Sequence, residues 1–169
     1  MPCKLSPLDA GGKACHPWRM ARELTVTARY ARDPDAVFAE ALRFDEMARA
    51  TRGVAVYKDL PEGSMEEGRT YTLNVTVWGV MRNPHYQVHV ERLDQAARRV
   101  QSREAGWMIR QWDHTLTVEP DGAGCLWTDC ILIDCSWATG YMSRVARALY
   151  RKRHLNRQGR DIAARLRRV

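Results

Sequence analysis

The chain has 169 residues, of which 45% are apolar and 28% charged; this balance is typical of a globular protein and excludes a disordered chain. No apolar run approaches the ~20 residues that a membrane-spanning helix needs, and the first residues lack the apolar stretch of a signal peptide. Cys125, Cys130 and Cys135 lie five residues apart, a spacing that suits neither a disulfide framework nor a zinc site. We therefore expect reduced thiols and a cytoplasmic protein.

The net charge of +7 is concentrated near the C-terminus, where residues 144–168 contain ten Lys or Arg and a single acid, Asp161. Such a segment permits contact with nucleic acid or with an anionic membrane. RNA-binding surfaces interleave exposed aromatic residues with basic ones, and only Tyr150 does so here, so nucleic acid is not an expected partner. We interpret the segment as the solvated face of a helix, which permits peripheral membrane contact. Together with open sheet edges, it also permits a homodimer.

Residues 1–20 show no clean periodicity and contain Pro2, Pro7, Pro17 and a Gly-Gly pair. They predict a poorly ordered N-terminal extension that precedes one domain, residues 21–169.

The domain begins with a strand, because apolar Leu24, Val26 and Ala28 alternate with polar residues. Asp33-Pro34 is typical of a helix N-cap followed by proline in the first turn. Two short helices are predicted after it, and the second, over residues 44–52, ends near a glycine.

Six further runs have the alternation and bounding turn residues of strands. They are residues 54–58, 69–77, 85–93, 98–105, 109–119 and 125–135. A helix is predicted over residues 141–165, with one apolar face formed by Met142, Val145, Leu149, Ile162 and Leu166. This order predicts an α+β fold in which a curved seven-stranded antiparallel sheet wraps around the long C-terminal helix.

The order of elements resembles the helix-grip fold of the START, polyketide-cyclase and birch-pollen-allergen superfamily over about residues 23–166. A local match is Gly106-x5-Trp112-x-His114, followed by Asp129 in the last strand. The resemblance implies a pocket between sheet and helix for a hydrophobic or amphipathic molecule. Since some members cyclise polyketides and others carry lipids or hormones, it implies no particular reaction.

The sequence differs from that pattern at two places near the ends of strands. Bulky Trp107 and Met108 follow the glycine, and Ser136-Trp137 stands where proline and glycine are usual before the last helix. These differences affect one entrance to the expected cavity.

The loop between the last two strands determines whether His114 and Asp129 can meet. A two-residue loop at Asp121-Gly122 places them directly opposite each other, and a four-residue loop places them diagonally on the same face. A three-residue loop places them on opposite faces. Matching the apolar faces of the two strands favours an even loop, so we expect an imidazole and a carboxylate side by side on the concave face. The pair either serves a ligand as an acid/base pair or is a structural pair.

The remaining candidates are less specific. Glu104 either points into the cavity or lies at a solvent-facing edge. The expected apolar wall consists of Tyr71, Leu73, Tyr86, Val88, Trp112, Tyr141, Met142 and Val145. His85 and His89 lie roughly 13 Å apart along a strand, too far to share a metal ion. No glycine-rich phosphate loop is present, so no metal and no cofactor are predicted.

These observations predict a protein that binds a small hydrophobic or aromatic molecule, lipid-like or polyketide-like. The alternative is a cyclase- or aromatase-like enzyme that moves a proton with His114 and Asp129, with Glu104 as a third candidate. The sequence leaves open whether any reaction is catalysed.

Overall fold

The structure, a computed structural model, describes residues 21–166, with side chains as far as Ala163. The predicted N-terminal extension and Leu166 as a core side chain lie outside this description. Within residues 21–166 the chain forms seven strands, three α-helices and one 3₁₀ turn. None of the described helices is long and apolar enough to cross a membrane.

The strands form one curled antiparallel sheet in the order β1-β7-β6-β5-β4-β3-β2. Their bounds are β1 Arg22–Tyr30, β2 Ala55–Lys58, β3 Thr70–Val77, β4 Met81–Asp94, β5 Arg99–Gly106, β6 Ile109–Asp121 and β7 Gly124–Asp134. Helices α1 Pro34–Ala41 and α2 Phe44–Ala50 connect β1 to β2, and α3 Thr139–Leu166 follows the 3₁₀ turn Ser136–Ala138. The predicted α+β helix-grip fold is confirmed.

The start of α1 has the predicted cap. The Asp33 carboxylate accepts a hydrogen bond from the Ala36 backbone N–H at 2.9 Å, and Pro34 occupies the first turn. The cap satisfies a backbone donor that a helix terminus otherwise leaves free.

Strand β4 begins earlier than predicted, because a bulge interrupts its pairing with β3. The register shifts between Leu73 and Val75, and His85 adopts a left-handed backbone with φ of 57°. Its N–H donates to the side-chain oxygen of Asn74 in β3, at 3.2 Å, instead of to a backbone carbonyl of that strand. Pairing then resumes as far as Met81, which lengthens the hairpin.

Helix α3 covers the concave face of the sheet through Ala146, Tyr150 and His154, which recur every four residues and are all buried. The interpretation of the basic segment as a wholly solvated face was wrong: Arg153 and Arg157 are buried against the sheet. The core prediction for Ile162 was also wrong, because that side chain is 60% exposed.

The buried thiols only partly match the expectation. Cys125 and Cys135 are free, whereas Cys130 is disulfide-bonded, so the expectation of reduced thiols was wrong at that position. The cysteines therefore give less support to a reducing compartment.

Candidate functional site

A cavity of about 160 Å³ lies between the sheet and α3. Leu73, Val75, Val88, Leu116, Trp112, Met142 and Val145 contribute to its apolar wall. Its polar side includes Tyr57, Tyr86, Ser102, Glu104, His114, Tyr150 and Arg153. Cavities of roughly 150 Å³ with apolar walls hold a single aromatic ring, so the space suits a small ligand.

Most of the predicted wall lines this cavity, but two tyrosines do not. The ring of Tyr71 packs edge-on against Phe44 at 4.7 Å, and its hydroxyl accepts a hydrogen bond from the Glu66 backbone N–H at 2.9 Å. Tyr141, in the first turn of α3, is 60% exposed and does not line the cavity, although Met142 and Val145 of the same helix do. These two corrections leave the wall to the aliphatic residues, Tyr86 and Trp112.

His114 and Asp129 meet as the even-loop alternatives predicted. The β6–β7 hairpin turns at Gly122-Ala123, one residue later than Asp121-Gly122, so the two side chains lie diagonally and not directly opposite. His114 Nε2 is 2.8 Å from Asp129 Oδ1, and both residues are buried. His114 lines the cavity, whereas Asp129 lies behind it.

Asp129 has a second partner, which the sequence interpretation missed. Its Oδ2 is 2.9 Å from Nε2 of His154 on α3, and Nδ1 of His154 is 2.8 Å from the Tyr30 hydroxyl. Both distances are explained if the Tyr30 hydroxyl donates a hydrogen bond to His154 Nδ1 and the Nε2–H of His154 donates one to Asp129. A carboxylate with no exposed surface is thereby satisfied from both the sheet and the helix.

Glu104 points inward, so the solvent-facing alternative was wrong for this residue. One carboxylate oxygen accepts a hydrogen bond from the Ser102 hydroxyl at 3.2 Å and lies 3.6 Å from His114 Nδ1. The other oxygen accepts from the Tyr86 hydroxyl. The residues Glu104, His114, Asp129, His154 and Tyr30 thus form a continuous buried series, here called the polar chain.

Electrostatics within the polar chain keep His114 charged. Burial alone would lower its pKa, but the hydrogen bond to Asp129 and the nearby carboxylate of Glu104 outweigh that effect and raise the pKa to about 9. Burial would raise the pKa of Asp129, yet the hydrogen bonds from His114 and His154 hold it well below its usual value. Burial also raises the pKa of Tyr150, whose hydroxyl lies 3.5 Å from His114 Nδ1. At neutral pH the site therefore presents an imidazolium and neutral phenols.

Two cavity-lining residues carry buried N–H groups without a hydrogen-bond partner among the described residues. They are Nε1 of Trp112 and Nε of Arg153. The Arg153 guanidinium lies over the rings of Trp127 and Tyr150 at 5.5 and 5.7 Å, an arrangement that holds it beside the cavity. Unpaired buried donors are costly, so these groups favour a ligand that carries a hydrogen-bond acceptor.

A larger cleft of about 630 Å³ lies between α1, α2 and the C-terminal part of α3. Arg32, Glu40, Arg49, Arg160 and Asp161 are among the residues that line it. Arg32 pairs with Glu40 and Asp161, while Arg49 and Arg160 pair with buried Glu46. An apolar molecule would gain little there, so the smaller cavity is the candidate site.

Within the described part of the chain, no group of three or more His, Cys, Asp or Glu side chains has an arrangement that could hold a metal ion. The chemistry that the described contacts of the cavity support is hydrogen bonding, charge and proton transfer by the polar chain.

Comparisons with known proteins identify the architecture. No family model matches the sequence, and no curated protein matches it significantly. An aromatase/cyclase from Streptomyces sp. R1128 has a TM-score of 0.65 and 13% identity, with 83% of this chain and 93% of that chain covered. Ara h 8.0201 has a TM-score of 0.58 and 9% identity, with 79% of this chain and 95% of that chain covered. Ginseng major latex-like protein 151 from Panax ginseng has a TM-score of 0.56 and 12% identity, with 80% of this chain and 96% of that chain covered. The chain therefore has the helix-grip fold that these solved structures share.

Proposed function

We propose that this protein binds a small, largely apolar molecule with one aromatic ring and a hydrogen-bond acceptor such as a carbonyl oxygen. The observation that carries the proposal is the pairing of an apolar wall with unpartnered N–H groups on Trp112 and Arg153. The wall favours the ring, and the acceptor relieves the cost of the buried donors. A volume of about 160 Å³ limits the ligand to roughly one ring unless the cavity widens.

The test uses acetophenone as the probe and isothermal titration as the measurement. Val145 lines the cavity, and Val145→Trp fills it, so we expect the affinity to fall at least tenfold, a loss of roughly 1.4 kcal/mol or more. Ala148→Trp places the same ring on the exposed side of α3 and serves as the matched control. Val145→Phe is a smaller change for the case in which the tryptophan variant folds poorly. Equal binding by all variants, or no binding by the wild type, would contradict the proposal.

A second candidate function is proton transfer to or from the bound molecule. It is favoured by one observation: His114 lines the cavity and has a carboxylate beside each ring nitrogen, Asp129 at 2.8 Å and Glu104 at 3.6 Å. An imidazolium there can donate a proton to a ligand carbonyl oxygen while the Glu104 carboxylate, which also lines the cavity, accepts a proton from the neighbouring carbon; an enol forms, and the reverse transfers restore the ketone. Exchange of the α-hydrogens of acetophenone with deuterium from D₂O distinguishes the two candidate functions. A protein that transfers protons would accelerate the exchange, and His114→Gln would abolish the acceleration. A protein that only binds the ligand would not accelerate the exchange.

A further inference from the structure

Three exposed tryptophans lie on loops at one end of the sheet. Trp107 is 81% exposed and Trp137 is 83% exposed, while Trp78 is 41% exposed. They follow β5, β7 and β3 respectively. Because these strands run in the same direction in an antiparallel sheet, their carboxyl ends meet at the same end of the molecule. We call residues 78–80 and 107–108, which form loops, together with residues 136–141 of the 3₁₀ turn and the first turn of α3, the tryptophan rim.

Contacts in the structure join the parts of the tryptophan rim. The Trp107 backbone N–H donates to the Asn83 side chain at 3.2 Å, which ties the β5–β6 loop to the β3–β4 hairpin. Ile109, which follows the β5–β6 loop, packs against the core cluster that also contains Ala138 of the 3₁₀ turn before α3. The rim is therefore one surface composed of neighbouring loops.

The tryptophan rim also borders the candidate cavity. Val77 and Met81 flank the first loop and line the cavity, Ile109 follows the second loop, and Met142 follows the third. Other exposed apolar side chains in the rim are Val80, Met108 and Tyr141. Exposed apolar groups of this size that surround a cavity mark an interaction surface rather than ordinary solvent exposure.

The chain segments that form and flank the tryptophan rim carry net positive charge, and Glu23 is an acid beside Arg144 and Arg147. Residues 75–85, 105–112 and 135–147 contain no Asp or Glu, but contain Arg82, Arg110, Arg144 and Arg147, all four of which are exposed. Tryptophan favours the interface between water and hydrocarbon, and arginine beside it is attracted to anionic headgroups. The combination fits the surface of an anionic bilayer better than it fits neutral lipid.

We propose that the tryptophan rim docks this protein on anionic lipid membranes. The rim would insert its tryptophans among the headgroups while the surrounding arginines pair with lipid phosphates. If the proposed ligand binding holds, on which this part rests, an apolar ligand can pass between the membrane and the cavity of the docked protein without crossing water. Of the basic segment 144–168 that the sequence suggested as the membrane contact, this surface includes Arg144 and Arg147 at the start of α3 and not the basic residues farther along the helix.

The test is co-sedimentation with vesicles of phosphatidylcholine alone and of phosphatidylcholine with phosphatidylglycerol at about 7:3. The wild type should bind the anionic vesicles, and added salt should weaken binding. Combined substitution of Trp78, Trp107 and Trp137 by alanine should lower the partition coefficient at least about tenfold, because the inserted aromatic area is lost. These side chains are exposed, so the variant should keep the wild-type circular dichroism spectrum.

Two matched variants make the result specific. Arg151→Gln with Lys152→Gln alters exposed charges elsewhere on α3 and should leave binding unchanged, as should Leu155→Ala, which removes an exposed apolar side chain outside the rim. Val145→Trp fills the cavity but leaves the rim intact, so its vesicle binding should equal that of the wild type. Failure of the ligand proposal would therefore leave this measurement unaffected.

Three results would overturn the docking proposal. They are no sedimentation of the wild type with anionic vesicles, equal binding by the triple tryptophan variant, and loss of binding only in the Arg151/Lys152 variant. A concentration-dependent dimer that the tryptophan substitutions abolish, without vesicle binding by the wild type, would assign the surface to a second copy of the chain instead.

Discussion

Nε2 of His114 lies 2.8 Å from Asp129 while its ring lines the cavity, so one imidazole faces a buried carboxylate and a bound molecule together. The folded-state pKa of about 9 exceeds the ordinary value of 6.5. A group whose pKa is raised on folding stabilises the protein fully below its unfolded pKa. That contribution is lost as pH rises through the folded pKa.

The first prediction concerns that pH window. Stability that depends on His114 should be complete below about pH 6.5 and should disappear as pH rises through about 9, a loss on the order of 3 kcal/mol. Urea unfolding at pH 6 and at pH 9.5 measures it as the difference between wild type and His114→Gln. The variant His89→Gln, on the outer face of β4, is the control and should behave as the wild type does. A His114→Gln variant with the same pH dependence as the wild type would contradict the assigned charge.

At the same scale, the alternation of β6 and β7 was enough to predict that His114 and Asp129 share a face. It was not enough for His154, because this residue directly follows the basic run Arg151-Lys152-Arg153 and carries no apolar pattern of its own. The available signal was its spacing of four residues from Ala146 through Tyr150, which places all three on one helix face. The partner of a buried carboxylate is decided by tertiary packing, and local patterns do not record it.

At the scale of elements, α3 is held to α2 by a buried ion pair. Nε of Arg157 donates to Glu46 at 3.0 Å, and the guanidinium stacks 4.2 Å from the centre of the Trp127 ring. Burial and the nearby charge of Arg153 lower the pKa of Arg157 to about 10, so the arginine depends on this carboxylate. A buried charge that loses its partner is more destabilising than the loss of the whole pair.

A double-mutant cycle tests this dependence. Glu46→Gln should lower the free energy of unfolding by about 3 kcal/mol, because it leaves Arg157 buried without an anion. Adding Arg157→Met should recover at least about 1 kcal/mol of that loss. Arg151→Met, on the exposed side of the same helix, should change stability by less than about 0.5 kcal/mol. Simple additivity of the two buried substitutions in denaturant unfolding would argue against the ion pair.

The elements themselves were largely predictable, since alternation and capping signals are local. The exception is the start of β4, where Pro84 and the left-handed His85 hide the strand from a search for alternation. Gly106 of the recognised pattern has a packing reason that becomes clear only in three dimensions. A β-carbon there would lie 2.4 Å from the Asn83 side chain, which accepts the hydrogen bond from Trp107.

At the scale of the whole molecule, the described fold combines a small cavity with the tryptophan rim at one end of the cavity. The sequence predicted the general location of the cavity from the resemblance, but not its volume, because volume depends on the distance between α3 and the sheet. In the sequence, Trp107, Met108 and Trp137 stood out only as differences from the pattern of the resembled superfamily. Their common location becomes visible once the strands are paired, because the three loops are far apart along the chain.

The most direct test of the account follows the indole N–H of Trp112 by ¹H–¹⁵N NMR during titration with acetophenone. If the ligand oxygen accepts a hydrogen bond from this group, its resonance should shift downfield to saturation. Trp127 carries a buried indole N–H that also has no partner among the described residues, yet it does not line the cavity, so its resonance is an internal control and should move little. A saturable shift at Trp112 alone is the result that the account predicts. A titration in which Trp112 stays fixed, or in which only Trp127 responds, would contradict the proposed ligand site.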